Sequence, residues 1–205
     1  IIRGLVGSEM CIRDRPMVTH VTDLVRSVGV DTVCVVIAPG MDSVATAVEP
    51  CETAVQVEAL GTGHAALAAA PVMEGTCKDV FILFGDTPLI TPETLSAMIA
   101  AKRTPSSPGI VVLGMQVEQE NAYGRLILGA DGTLNRIVEF NDATREERAV
   151  TLCNSGVMLV DGERLFGWLH QIGNDNAKGE YYLTDLIAIA RADGAVCAVV
   201  EGAEE

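Results

Sequence analysis

Apolar positions along this chain fall into short blocks with two alternating rhythms. Met17, Val18, Val21, Leu24, Val25 and Val28 recur at the spacing of one helical face, and Gly29 ends the run. Residues 31–38, DTVCVVIA, are continuously apolar, the pattern of a strand covered on both faces. The alternation continues with a helix over 40–48, a short strand over 53–57, an Ala-rich helix over 62–73 and a buried strand over 80–84 that runs into the turn GDTP. Thr91 and Pro92 mark the next helix start, with threonine as the cap and proline at the first helical position. Strands that alternate with helices predict an α/β domain, a mostly parallel sheet with helices on both faces. In such sheets ligands gather at the carboxyl ends of the strands.

The second half changes character. Residues 109–117 predict a strand, and 126–128 and 133–139 flank GADG as a hairpin. A small charged helix is expected over 143–149. A strand over 152–160 follows, interrupted by Asn154, Ser155 and Gly156. Helices over 162–171 and 183–192 and a strand over 195–200 complete the pattern, with no internal repeat or linker. Residues 1–15, IIRGLVGSEMCIRDR, show neither rhythm and resemble a translated sequencing adapter. They are read as a non-native or disordered extension, which leaves 16–205 as the domain.

Composition narrows the classes. Hydrophobic residues make up 49% of the 205, enough for a core, and aromatics only 4%, so that core rests on Val, Leu, Ile and Ala. A net charge of -14 argues against nucleic acid or an anionic membrane surface as partner. It leaves room for a small anion held by local donors or a metal. The six cysteines form no C-x-x-C pair, and several sit in apolar runs. They read as reduced packing residues of a cytoplasmic protein. No stretch approaches a membrane span.

Four constellations carry candidate chemistry. In QVEALGTGHA a strand ends, two glycines permit close approach and a helix begins, so Gln56, Gly61 and Thr62 could meet a base or a phosphate; a plain strand-to-helix turn explains the same pattern. His64 reads as a packing or hydrogen-bonding residue rather than a catalyst. In VFILFGDTPL four apolar residues deliver Phe84, Gly85 and Asp86 to the sheet edge. A carboxylate there suits Mg²⁺, and equally a turn or cap. Gly124, Glu139 and Asn154 each end a predicted strand, where Glu139 would accept from sugar hydroxyls or form a cross-strand ion pair with Arg125. Lastly, GEYYLTD opens a helix with polar groups and two phenols, which also suit capping and packing.

Taken in order, QVEALGTGHA, LFGDTPLI, AYGRLI, IVEFNDAT, CNSGVMLV and NAKGEYYLTD resemble the N-acetylglucosamine-1-phosphate uridylyltransferase family over roughly residues 16–200. The resemblance implies a Rossmann-like nucleotidyltransferase fold. It implies uridine contacts from Gln56, Gly61 and Thr62, and a nucleotide and metal pocket of Phe84, Gly85 and Asp86, with Asp86 on Mg²⁺. It implies sugar contacts from Gly124, Glu139 and Asn154, with Tyr182 and Thr184 nearby. The implied partners are UTP, N-acetylglucosamine-1-phosphate and UDP-N-acetylglucosamine, in a parent protein trimeric through an acetyltransferase domain.

Two departures accompany the likeness. Family members begin with a strand and a Gly-rich loop whose Arg and Lys grip the triphosphate; residues 1–15 match neither. The first strand and that loop are therefore expected to be missing, as is a second metal-ligand Asn past residue 205. The chain alone is then expected to be poorly stable and nearly inactive. Relatives often carry Tyr at the position of Phe84. Competing expectations are a cytidylyl or thymidylyl transferase, or a non-catalytic nucleotide-sugar sensor on the same fold.

Overall fold

The computed structural model describes residues 1–3, 11–12 and 15–202. Its sheet follows from strands that are apolar on both faces. In β4 (Cys34–Ile37), β6 (Asp79–Phe84) and β7 (Ile110–Gln116), successive side chains enter opposite core layers. Cys34, Val36, Val80, Ile82, Ile110 and Val112 face one layer. Val35, Ile37, Phe81, Leu83, Val111 and Leu113 face the other. The first layer is closed by α3 (Thr62–Ala68), α4 (Ala70–Met73), α7 (Gly162–Leu169) and α8 (Leu186–Ala192). The second is closed by α1 (Met17–Ser27), α2 (Asp42–Ala47) and α5 (Pro92–Lys102). These are the helices that the apolar periodicity predicts, with one change. The run over 62–73 breaks into α3 and α4 because Pro71 has no N–H to carry the ladder onward.

With β1 (Ile2–Arg3), β5 (Glu52–Val55), β10 (Leu152–Asp161) and β11 (Cys197–Glu201), the strand order is β11-β7-β10-β6-β1-β4-β5. β1, β4, β5 and β6 run parallel, and so do β7 and β11. β10 is antiparallel to both its neighbours, the one reversed strand on that path, so the sheet is mostly parallel as expected, with a single reversal. The hairpin β8 (Arg125–Leu128) and β9 (Leu134–Val138) joins through β8 to β10. Helix α6 (Arg145–Arg148) carries a capping box in which Thr144 and Glu147 each bond the other's backbone N–H. A 3-10 turn, Leu183–Asp185, leads into α8. The short strands β2 (Cys11–Ile12) and β3 (Arg15–Pro16) pair with each other.

Against the expectation of a sheet lacking its first strand, β1 lies in the central slot between β4 and β6. The physical reason is backbone pairing. An empty slot would strand donors and acceptors on both neighbours. Ile1 and Ile2 are apolar enough to enter: both are buried, the Ile1 carbonyl accepts from Leu83 N at 3.0 Å, and the Ile1 amine donates to Phe81 O at 2.6 Å. Residues 4–10 and 13–14, the remainder of the expected extension apart from two short strands, lie outside the described residues. Cys34, Cys51, Cys77, Cys153 and Cys197 are free thiols, three of them buried.

Candidate functional site

A cleft of about 460 Å³ opens where β6 ends and the second half of the chain folds back over the sheet. Its first wall is the loop after β6, with Phe84, Asp86 and Thr87. Thr87 closes that turn by donating its hydroxyl to Phe84 O at 2.8 Å. Asp86 is exposed and makes no hydrogen bond or ion pair among the described residues.

The second wall comes from the polar interruption of β10. Pairing with β7 shifts register between Asn154 and Met158, a bulge. Asn154 Oδ1 accepts from Gly156 N at 3.0 Å and holds the bulge in shape. Gly156 has φ +87°, and a Cβ there would stand 2.1 Å from Phe84 Cε2. The bulge therefore seats the Phe84 ring directly on backbone.

The third wall is Tyr123, Gly124 and Glu139. Asn154 N donates to Gly124 O at 2.8 Å, joining this wall to the second. Glu139 Oε1 accepts from the buried Thr184 hydroxyl at 3.0 Å. Thr62 closes the end of the cleft, with its hydroxyl accepting from Leu183 N at 2.9 Å.

Seven anticipated residues thus line one cleft: Thr62, Phe84, Asp86, Gly124, Glu139, Asn154 and Thr184. Gln56, Gly61, Gly85 and Tyr182 do not line it. Gln56 and Gly61 sit just behind Thr62. Gln56 Nε2 donates to Gly61 O at 3.1 Å and to His64 Nδ1 at 3.0 Å, so both its protons are engaged and the amide oxygen is its open acceptor. His64 is then the structural residue that its position suggests. The close approach permitted by the glycines is used by the chain itself. Gly63 N donates to Tyr181 O, and a Cβ on Gly61 would meet that oxygen at 2.7 Å. Tyr182 is buried, and burial followed by the carboxylates of Asp142, Glu139 and Glu180 pushes its phenol pKa up.

The expected alternative of an Arg125–Glu139 ion pair is not formed. Strand register sets Arg125 opposite Val138, and its guanidinium turns to the 121–123 loop instead. Sequence reasoning also passed over Asp185. This carboxyl is pushed above its usual range by burial, then by Glu139 and Asp142. Its signal, a carboxylate one position after Thr184, is indistinguishable from a helix cap until the fold brings Glu139 alongside. Among the described residues no lysine or arginine lines the cleft, and Asp86 and Glu139 are its acidic groups.

The family of MobA-like NTP transferase domains matches this chain over residues 9–154. The chain belongs to that family. This MobA-like domain is a nucleotidyltransferase domain, and its relatives sharpen the comparison. It is 53% identical over 191 residues to the bifunctional protein GlmU of Rhodospirillum rubrum, covering 93% of the chain and 43% of the relative. It is 50% identical over 190 residues to the bifunctional protein GlmU of Paramagnetospirillum magneticum, covering 93% and 42%. The MobA-like domain thus spans less than half the length of these curated relatives. Its fold superposes on a UDP-glucose pyrophosphorylase crystallised with UDP-glucose, with a TM-score of 0.72 at 14% identity over 98% of this chain and 90% of the other. No helix among the described residues is long and apolar enough to cross a membrane.

Proposed function

We propose that this domain transfers uridylyl from UTP to N-acetylglucosamine-1-phosphate, giving UDP-N-acetylglucosamine and pyrophosphate for cell-envelope precursor synthesis. The observation that carries the reading is the convergence of Thr62, Phe84, Asp86, Gly124, Glu139, Asn154 and Thr184 on one cleft. Relatives about half identical to the chain support the same reading.

The residues divide the work. Gln56 offers only an acceptor toward the base, which suits the ring N–H of uracil and opposes the bare ring nitrogen of cytosine. Gly61 and Thr62 frame the uridine beside it. Phe84 lines the nucleotide side, backed by the buried Gly85. Gly124, Glu139 and Asn154 hold the sugar, with Glu139 accepting from its hydroxyls, and Tyr182 and Thr184 back that wall. A phosphate oxygen of the sugar phosphate attacks the α-phosphorus while the bond to pyrophosphate breaks. The step needs no protein nucleophile, and positioning supplies most of the acceleration.

Asp86 is fitted to hold Mg²⁺, an exposed carboxylate at the cleft with no other partner, since this ion takes one or two protein oxygens plus substrate phosphates. No cluster of three or more acidic, His or Cys ligands forms among the described residues. When bound, the ion neutralises phosphate charge. The same proposal places the protein in the cytoplasm, with neither nucleic acid nor membrane as partner, and a parent homotrimer assembled through a separate acetyltransferase domain.

Calorimetric titration with UDP-N-acetylglucosamine, CDP and dTDP sugars, each with Mg²⁺, tests the reading. The uridine ligand should bind best, and Glu139→Ala should weaken it by roughly 10- to 100-fold. Preference for the cytidine ligand, or indifference to Glu139→Ala, would refute it.

A further inference from the structure

We infer that Arg125 is a positioning residue that clamps the 121–124 loop, so that Tyr123 and Gly124 stand as the sugar-side wall. The inference rests on the sugar assignment above for its functional half only.

Arg125 opens β8 and is 3% exposed. Its guanidinium donates to Asn121 Oδ1 at 2.8 Å, to Asn121 O at 3.3 Å and to Tyr123 O, while Nε reaches Arg148 O at 3.4 Å. Its Cζ lies 5.6 Å from the centre of the Phe140 ring, and Arg148 stacks on the same ring at 4.6 Å. No carboxylate pairs with Arg125 among the described residues. A buried charge answered by carbonyl and amide oxygens, a ring face and a thiol, with no carboxylate, is costly to keep. What this arrangement supplies is geometry. One rigid fork grips the irregular loop with one edge and the end of α6 with the other.

Beyond the guanidinium, the loop is tied at its two ends, by Val117 N to Thr151 O at 2.9 Å and by Asn154 N to Gly124 O at 2.8 Å. Residues 117–124 belong to no strand or helix. Asn121 Oδ1 accepts from Tyr123 N at 3.1 Å, so the same oxygen takes both the loop's own turn and the guanidinium. Lysine carries three donors at a single point and cannot span Asn121 and Arg148 together.

Hydrogen exchange on the unliganded chain tests the clamp without any ligand. Arg125→Lys should speed exchange of the Tyr123 amide, bonded to Asn121 Oδ1, and of the Asn154 amide, bonded to Gly124 O, by about tenfold or more while the core strands keep their protection. Arg125→Gln serves as a second variant should Arg125→Lys fail to fold, with the same direction expected. Unchanged protection of these amides in whichever variant folds would overturn the inference. Paired titrations then read function. The gain in affinity of UDP-N-acetylglucosamine over UDP should fall by roughly tenfold in the variant, with UDP affinity itself held. A variant that keeps the full gain would also overturn it. If the unsubstituted chain shows no such gain while exchange still responds, the proposed substrate fails and the clamp stands.

Discussion

A methyl group added at Gly156 would meet the Phe84 ring at 2.1 Å, on a backbone whose φ of +87° already disfavours any side chain. Gly156→Ala should therefore destabilise the domain by about 1–3 kcal/mol in urea unfolding, and should disturb the cleft through Phe84. Gly132 offers the contrast. It has φ +77° but open space around it, so alanine there should cost only the conformational part. At this scale the sequence was informative wherever a residue ends a strand: Phe84, Asp86, Glu139 and Asn154 are legible because apolar runs stop at them. Gln56 is a candidate base contact by its sequence position, but the engagement of its two donors is not legible there, since His64 and Gly61 reach it only through folding. Arg125 was misread because hairpin register, which decides its partner, cannot be counted from residue types alone.

Among the elements, α6 is four residues long and depends on its ends. Thr144 Oγ1 accepts from Glu147 N at 3.2 Å, and Glu147 Oε2 accepts from Thr144 N at 2.8 Å. Thr144→Ala should cost about 1 kcal/mol by chemical denaturation, and Thr144→Ser should restore most of it. The loss should also loosen the carbonyl of Arg148 that Arg125 grips, so the two substitutions should prove non-additive in a double-mutant cycle. The helices and strands were legible because apolar periodicity fixes them. The break at Pro71 and the bulge in β10 were not, since each depends on which hydrogen bond goes unmade.

For the molecule as a whole, the central slot of the sheet is filled by β1, which pairs in parallel with β4 on one side and β6 on the other. The parallel half of the sheet was legible from alternation, whereas the reversal of β10 was not. An apolar run carries no direction, and a turn or a crossover can follow it equally well.

β10 contributes Asn154 and Met158 to the cleft and, from Met158 onward, pairs with β6 in the core. A ligand held there is anchored to the last part of the protein to come apart, not to a separately fraying flap. Occupancy should consequently register as a thermal shift of the entire cooperative transition, growing with the logarithm of ligand concentration, so that a simple melt becomes a screen for what this cleft prefers.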